Sequence, residues 1–131
     1  MATVVREDVF VLCAGGGDDP PGIRASWDRL ESIVPLQGRK FFGLVEEVGA
    51  SYFACVARVD GDDPEALGLE ERILPGGRYL RERLKGEPPA VYEQIESTVK
   101  ALEEQANLDE SRPVIEYYRR RDEVDILVPI V

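Results

Sequence analysis

The chain has 131 residues, 44% hydrophobic and 32% charged. That is long and apolar enough for one domain with its own core, and too rich in branched and aromatic side chains to stay disordered. The 16 basic residues against 26 acidic ones leave a formal charge of −10, so the average surface repels phosphate backbones and anionic lipid, which excludes direct nucleic-acid binding as the expected role.

The first residues, Met1-Ala2-Thr3-Val4-Val5-Arg6-Glu7-Asp8, lack the basic-then-apolar pattern of a secretory signal. No apolar run approaches the ~20 residues of a spanning helix, so a cytoplasmic protein with no membrane contact is expected. Val9-Phe10-Val11-Leu12-Cys13 then reads as a buried strand leaving the core through Ala14-Gly15-Gly16-Gly17. After Pro20-Pro21-Gly22, residues Ile23, Trp27, Leu30 and Val34 recur at helical spacing and predict a helix ending near Pro35. Two strands follow at 40–46 and 51–59, separated by a hairpin-length turn. Cys13 and Cys55 both fall in apolar strand-like runs, where a free thiol behaves as a small buried hydrophobe.

Asp60-Gly61-Asp62-Asp63-Pro64 opens an acidic connector over 60–75, with a short strand at 69–74. Beyond it the order repeats: a strand at 78–84, a helix over 89–106 whose inward stripe is Val91, Ile95, Val99, Leu102 and Ala106, and strands at 113–119 and 124–130. One domain spanning 1–131 is therefore expected, built of two similar halves, about 1–59 and 76–131, that share one sheet with both helices packed on it.

With no histidine in the chain, Ser-His-Asp and Cys-His triads and the usual His-containing zinc sites are excluded. Gly15-Gly16-Gly17 matches neither G-x-G-x-x-G nor G-x-x-x-x-G-K-[ST], and Asp18-Asp19 beside it repels phosphate. Asp60, Asp62 and Asp63 lack the ligand spacing and closing Glu of an EF-hand loop. No cofactor and no metal is expected.

The informative stretch is Pro113-Val114-Ile115-Glu116-Tyr117-Tyr118-Arg119. On a strand, Val114, Glu116 and Tyr118 share one face and Ile115 and Tyr117 the other, so Glu116 is a carboxylate among apolar and aromatic neighbours. Burial of such a group is costly unless it is paired, hydrogen-bonded or neutralised. Two readings stand: Glu116 on an exposed edge or paired with Arg119, Arg120 or Arg121, or Glu116 in a pocket. The aromatic residues Trp27, Phe42, Tyr52, Tyr79, Tyr117 and Tyr118, spread over one helix and several strands, suit either pocket walls or plain core.

The succession Ala25-Ser26-Trp27-Asp28-Arg29-Leu30, Phe42-Gly43-Leu44, Ser51-Tyr52-Phe53-Ala54-Cys55-Val56, Ile73-Leu74-Pro75-Gly76-Gly77-Arg78-Tyr79, Lys85-Gly86, Glu116-Tyr117-Tyr118 and Val128-Pro129-Ile130 resembles the GyrI-like small-molecule-binding domain. That module also serves as effector-binding domain in AraC-type and MerR-type regulators. The resemblance implies an α+β fold, a duplicated β-α-β-β unit with an antiparallel-rich curved sheet. It also implies an aromatic pocket for lipophilic, cationic compounds, with Glu116 at its floor, Tyr118 as partner, and Trp27, Phe42, Tyr52 and Tyr79 as walls.

No helix-turn-helix precedes the first strand, so a stand-alone binding protein, monomeric or weakly dimeric, is expected. Two alternatives follow from the same resemblance. One is a hydrolase of cyclopropane-bearing cytotoxic natural products, with Glu116 as base and Tyr79 or Tyr118 as proton donor. The other is an interaction protein that modulates DNA gyrase.

Overall fold

The computed structural model describes all residues, 1–131. In chain order its elements are β1 (Ala2–Arg6), β2 (Val9–Gly16), α1 (Pro20–Ile33), β3 (Phe41–Glu47), β4 (Ser51–Ala57), α2 (Pro64–Leu67), β5 (Glu70–Leu74), β6 (Gly77–Lys85), α3 (Ala90–Glu93), α4 (Ile95–Glu103), β7 (Val114–Arg120) and β8 (Glu123–Pro129). Two compact units result, a first over Val9–Leu74 and a second made of Met1–Asp8 with Pro75–Val131. No helix is long and apolar enough to cross a membrane.

In the first unit the antiparallel strands run β3-β4-β2-β5, and in the second β7-β8-β6-β1. The two orders are the same topology, so the duplicated strand-helix-strand-strand arrangement of an α+β fold is present. β3 and β7 even carry their register shift at the same place, between Val45 and Glu47 and between Tyr118 and Arg120. The N-terminal segment belongs to the second half, however, because β1 pairs with β6 through Val4 opposite Tyr79. Its alternation leaves Thr3 and Val5 outward, and Val5 is 78% exposed, so no buried stripe marks it as a strand.

Each sheet buries one face under a helix. In the first unit Leu12, Ala14, Tyr52, Ala54 and Val56 meet Leu30 and Val34, with Ile23 and Trp27 of α1 packed against them. In the second, Leu80, Val124, Ile126 and Val128 meet Leu102 of α4, with Ile95, Val99, Val114 and Tyr118 alongside. α1 starts where Asp19 caps it, accepting from the Gly22 N–H at 2.7 Å, with Pro20 and Pro21 in its first turn, where a missing N–H costs nothing. The glycines ahead of it serve close packing: a Cβ on Gly16 would lie 2.4 Å from the Ser26 hydroxyl, and one on Gly22 2.4 Å from the Gly17 carbonyl oxygen. Gly16 is therefore a strand residue pressed against α1, and Gly15 one packed on the Phe53 ring, where a Cβ would lie 2.6 Å from it, rather than parts of a phosphate cradle.

The helix expected over 89–106 is broken into α3 and α4 at Gln94. Gln94 has φ −85° and ψ −10°, and its N–H turns to the Tyr92 and Val91 carbonyls. The Ser97 and Thr98 hydroxyls donate to its own carbonyl at 3.1 and 2.7 Å. That carbonyl also keeps its helical bond from the Thr98 N–H at 3.1 Å, so the break lies on the N-terminal side of Gln94, where its own N–H reaches back three residues as in 3₁₀ geometry. In the connector, Asp63 caps the short α2 and Asp62 pairs with Arg39 at 2.7 Å, so these carboxylates organise a turn.

Leu12 is fully buried between its sheet and α1. Leu12→Ala is expected to lower the unfolding free energy by about 2–5 kcal/mol, the cost of lost burial plus a partly relaxed cavity, as measured by urea denaturation.

Candidate functional site

Glu116 lies in β7 directly opposite Ile126 of β8, on the face that Val114 and Tyr118 also present to the α4 cluster. It is 6% exposed, one of three polar or charged residues buried in the chain. The Tyr118 hydroxyl donates to Glu116 Oε1 at 2.6 Å. Tyr118 also meets the Tyr92 ring edge-on, centroids 5.8 Å apart, and the Tyr92 hydroxyl donates to the Arg121 carbonyl at 2.7 Å. Glu116, Tyr118 and Tyr92 thus form a linked set: a carboxylate, the phenol bound to it, and a second ring against that phenol.

Arg119 and Arg120, next in sequence, lie beside other carboxylates. Asp125 is buried and receives two hydrogen bonds from Arg83, at 2.7 and 3.2 Å, with Arg119 3.8 Å away, while Arg120 lies 4.0 Å from Glu123. The exposed-edge reading of Glu116 fails on its burial.

In the first unit, Trp27 and Tyr52 are brought together: the indole Nε1–H donates to the Tyr52 hydroxyl at 2.9 Å, and the Phe41 ring tilts against Trp27 at 6.2 Å. Both lie on the helix-covered side, as does Phe41. Phe42 is buried on the other face, opposite Cys55. Tyr79 likewise occupies the face of its sheet away from α4, since Leu80 next to it faces the helix. It is fully buried and donates to the Pro75 carbonyl at 2.5 Å beneath the Arg112 guanidinium, 4.8 Å from the ring centre. Burial pushes its phenol pKa up, against the opposing pull of Arg112. Phe42 and Tyr79 are thus each set apart, within their own units, from the helix-side residues. Phe41 and Tyr92 are the aromatics that sequence reading missed. The Trp27 stripe and the alternation around Tyr118 mark the right faces without identifying which neighbours fill them.

No family model matches the chain, and no curated protein matches its sequence. Solved structures do share its fold. An integron cassette protein from the mobile metagenome of Vibrio cholerae superposes with a TM-score of 0.79 at 17% identity, over 99% of this chain and 95% of that one. The protein SAV2435, solved bound to tetraphenylphosphonium, gives 0.70 at 17% identity over 99% and 93%. A hydrolase from Listeria innocua gives 0.63 at 12% identity over 99% and 90%.

Arg112, which covers Tyr79, is itself held by Asp109 at 2.8 Å, and Ser111 donates to the same carboxylate through its hydroxyl and its backbone N–H. These hydrogen bonds, Ser111 first and Arg112 next, lower the Asp109 pKa from 3.8 to about 2. A depressed carboxylate pKa stabilises the fold fully above the unfolded value and ceases to do so as pH falls through the folded one. Wild type is therefore expected to lose stability relative to Asp109→Asn between pH 3.8 and about 2, read from denaturant midpoints across that range.

Proposed function

We propose that the chain binds lipophilic organic cations, with Glu116 as countercharge and the rings of Tyr118 and Tyr92 as the aromatic surface beside it. The observation that carries this reading is a carboxylate 6% exposed on the helix-covered face of a sheet, held by a tyrosine hydroxyl at 2.6 Å. A cation ~4 Å from such a group gains about 4 kcal/mol at an effective dielectric near 20, and each aromatic face adds about 0.5–2 kcal/mol. Flat rings impose little shape selection, so varied ligands are accommodated. The Trp27, Tyr52 and Phe41 set supplies a comparable aromatic surface in the first unit. Phe42 and Tyr79 have no part in the proposal, because they lie on the other faces of their sheets. The fold shared with a protein solved bound to tetraphenylphosphonium supports the ligand class.

A second reading uses the same pair for hydrolysis of cyclopropane-bearing natural products, with Glu116 as base toward water and Tyr118 as proton donor. It is favoured by the direct Tyr118–Glu116 contact and by the hydrolase among the fold neighbours.

Tetraphenylphosphonium is the probe. Wild type is expected to bind it in equilibrium dialysis, Glu116→Gln to bind at least about 10-fold more weakly with unchanged circular dichroism, and Tyr118→Phe to fall between. Undiminished binding in Glu116→Gln would remove the countercharge role. Conversion of a cyclopropane substrate that is lost in Glu116→Gln would instead establish the second reading.

A further inference from the structure

Cys13 and Cys55 lie directly opposite one another in the antiparallel pair of β2 and β4. The phase of that pair follows from the Arg58 N–H donating to the Phe10 carbonyl at 2.9 Å. Residues 10 and 58 are thereby a hydrogen-bonded pair, and the alternation makes 13 and 55 a non-hydrogen-bonded one. There the Cα atoms approach to ~4.5 Å and the side chains are closer than at the alternate positions. A disulfide spans Cα separations of ~4.4–6.8 Å, so the backbone already holds the two residues in bridging range. The sulfurs are 2.6 Å apart, well inside ordinary non-bonded sulfur contact. Both side chains are buried, at 2% and 0% exposure, on the face away from α1, where Phe42 stands opposite Cys55 in the next strand.

We infer that Cys13 and Cys55 constitute a two-electron redox site that closes to a cross-strand disulfide on reaction with a small peroxide. Burial selects the oxidant class, since a bulky disulfide reagent has no room beside the pair whereas hydrogen peroxide is little larger than water. One thiolate attacks a peroxide oxygen, the O–O bond breaks, and the hydroxide released takes up the proton that thiol lost, leaving a sulfenic acid. The second sulfur then attacks the first, the S–O bond breaks, and the hydroxyl departs as water with the second thiol's proton. Two thiols become one disulfide and peroxide becomes two waters. Burial, and then the hydrogen bond with Cys13, push the Cys55 thiol pKa up, so the reaction is faster in mildly alkaline buffer than at neutrality.

The bridge ties two strands whose cysteines are 42 positions apart and which carry Leu12, Tyr52 and Ala54 on their opposite face. The test is to reduce the protein, remove the reductant, treat with hydrogen peroxide at neutral and mildly alkaline pH, denature, alkylate and weigh. A chain lighter by two hydrogens that takes no alkyl group, and takes two after treatment with a dithiol, is expected. Its melting temperature should exceed that of the reduced protein by about 5 °C or more. Cys13→Ser should yield no intramolecular bridge. The inference is overturned if both cysteines still alkylate after peroxide treatment at both pH values, if they take up oxygen without bridging, or if the bridged form melts no higher than the reduced one.

Discussion

Side chains alternate across a strand, and the four strands of each unit offer only one of their two faces to a helix. Every statement about the candidate site depends on that parity. Glu116 is inside because it shares a face with Val114 and Tyr118, which pack against the Leu102 cluster. A slip of one residue in β7 would put Glu116 on the other face and Ile115 under the helix. The register shifts after Val45 and Tyr118 mark where the alternation ends and charged residues take over, so the parity is held only over the stretch that faces α1 or α4.

The same parity explains how much was legible in the sequence. The order of strands and helices, the Trp27 stripe and the pairing of Glu116 with Tyr118 on one face all follow from periodicity, and the structure contains them. Phe41-Phe42 and Tyr79-Leu80 were not resolvable, because in each strand two adjacent large apolar residues fit either face assignment. The face that receives the helix is a property of the tertiary fold. Likewise β1 alternates in exposure without burying a residue, so it leaves no core stripe, and at Gln94 the backbone N–H turns to the Val91 carbonyl three residues back, a tightening that no periodicity in the sequence marks. The pairing of Cys13 with Cys55 depends on register between strands that the sequence separates by a helix and a third strand.

The duplicated topology lets the two units be compared position by position. With the register shifts aligned, Tyr118 corresponds to Val45 and Glu116 to Gly43, while Tyr52 in β4 corresponds to Val124 in β8. One backbone plan therefore carries two different chemistries. In the first unit the polar side-chain groups on the helix side include an indole N–H, a phenol and the Ser26 hydroxyl; in the second they include a phenol and a carboxyl group. The buried acidic residues, Glu116 and Asp125, both belong to the second unit, so the two units differ in polarity even though the folding pattern repeats.

The pairing of β1 with β6, Ala2 opposite Arg81, has a consequence for the nascent chain. The first unit is a continuous stretch, Val9–Leu74, and all the contacts that define it can form as soon as that stretch has emerged from the ribosome. The opening strand has no partner until β6 follows, so it must wait outside a finished neighbour. Its pairing therefore waits on β6, and a chain truncated before β6 would carry an unpaired β-strand, the kind of segment that chaperones and proteases read as incomplete.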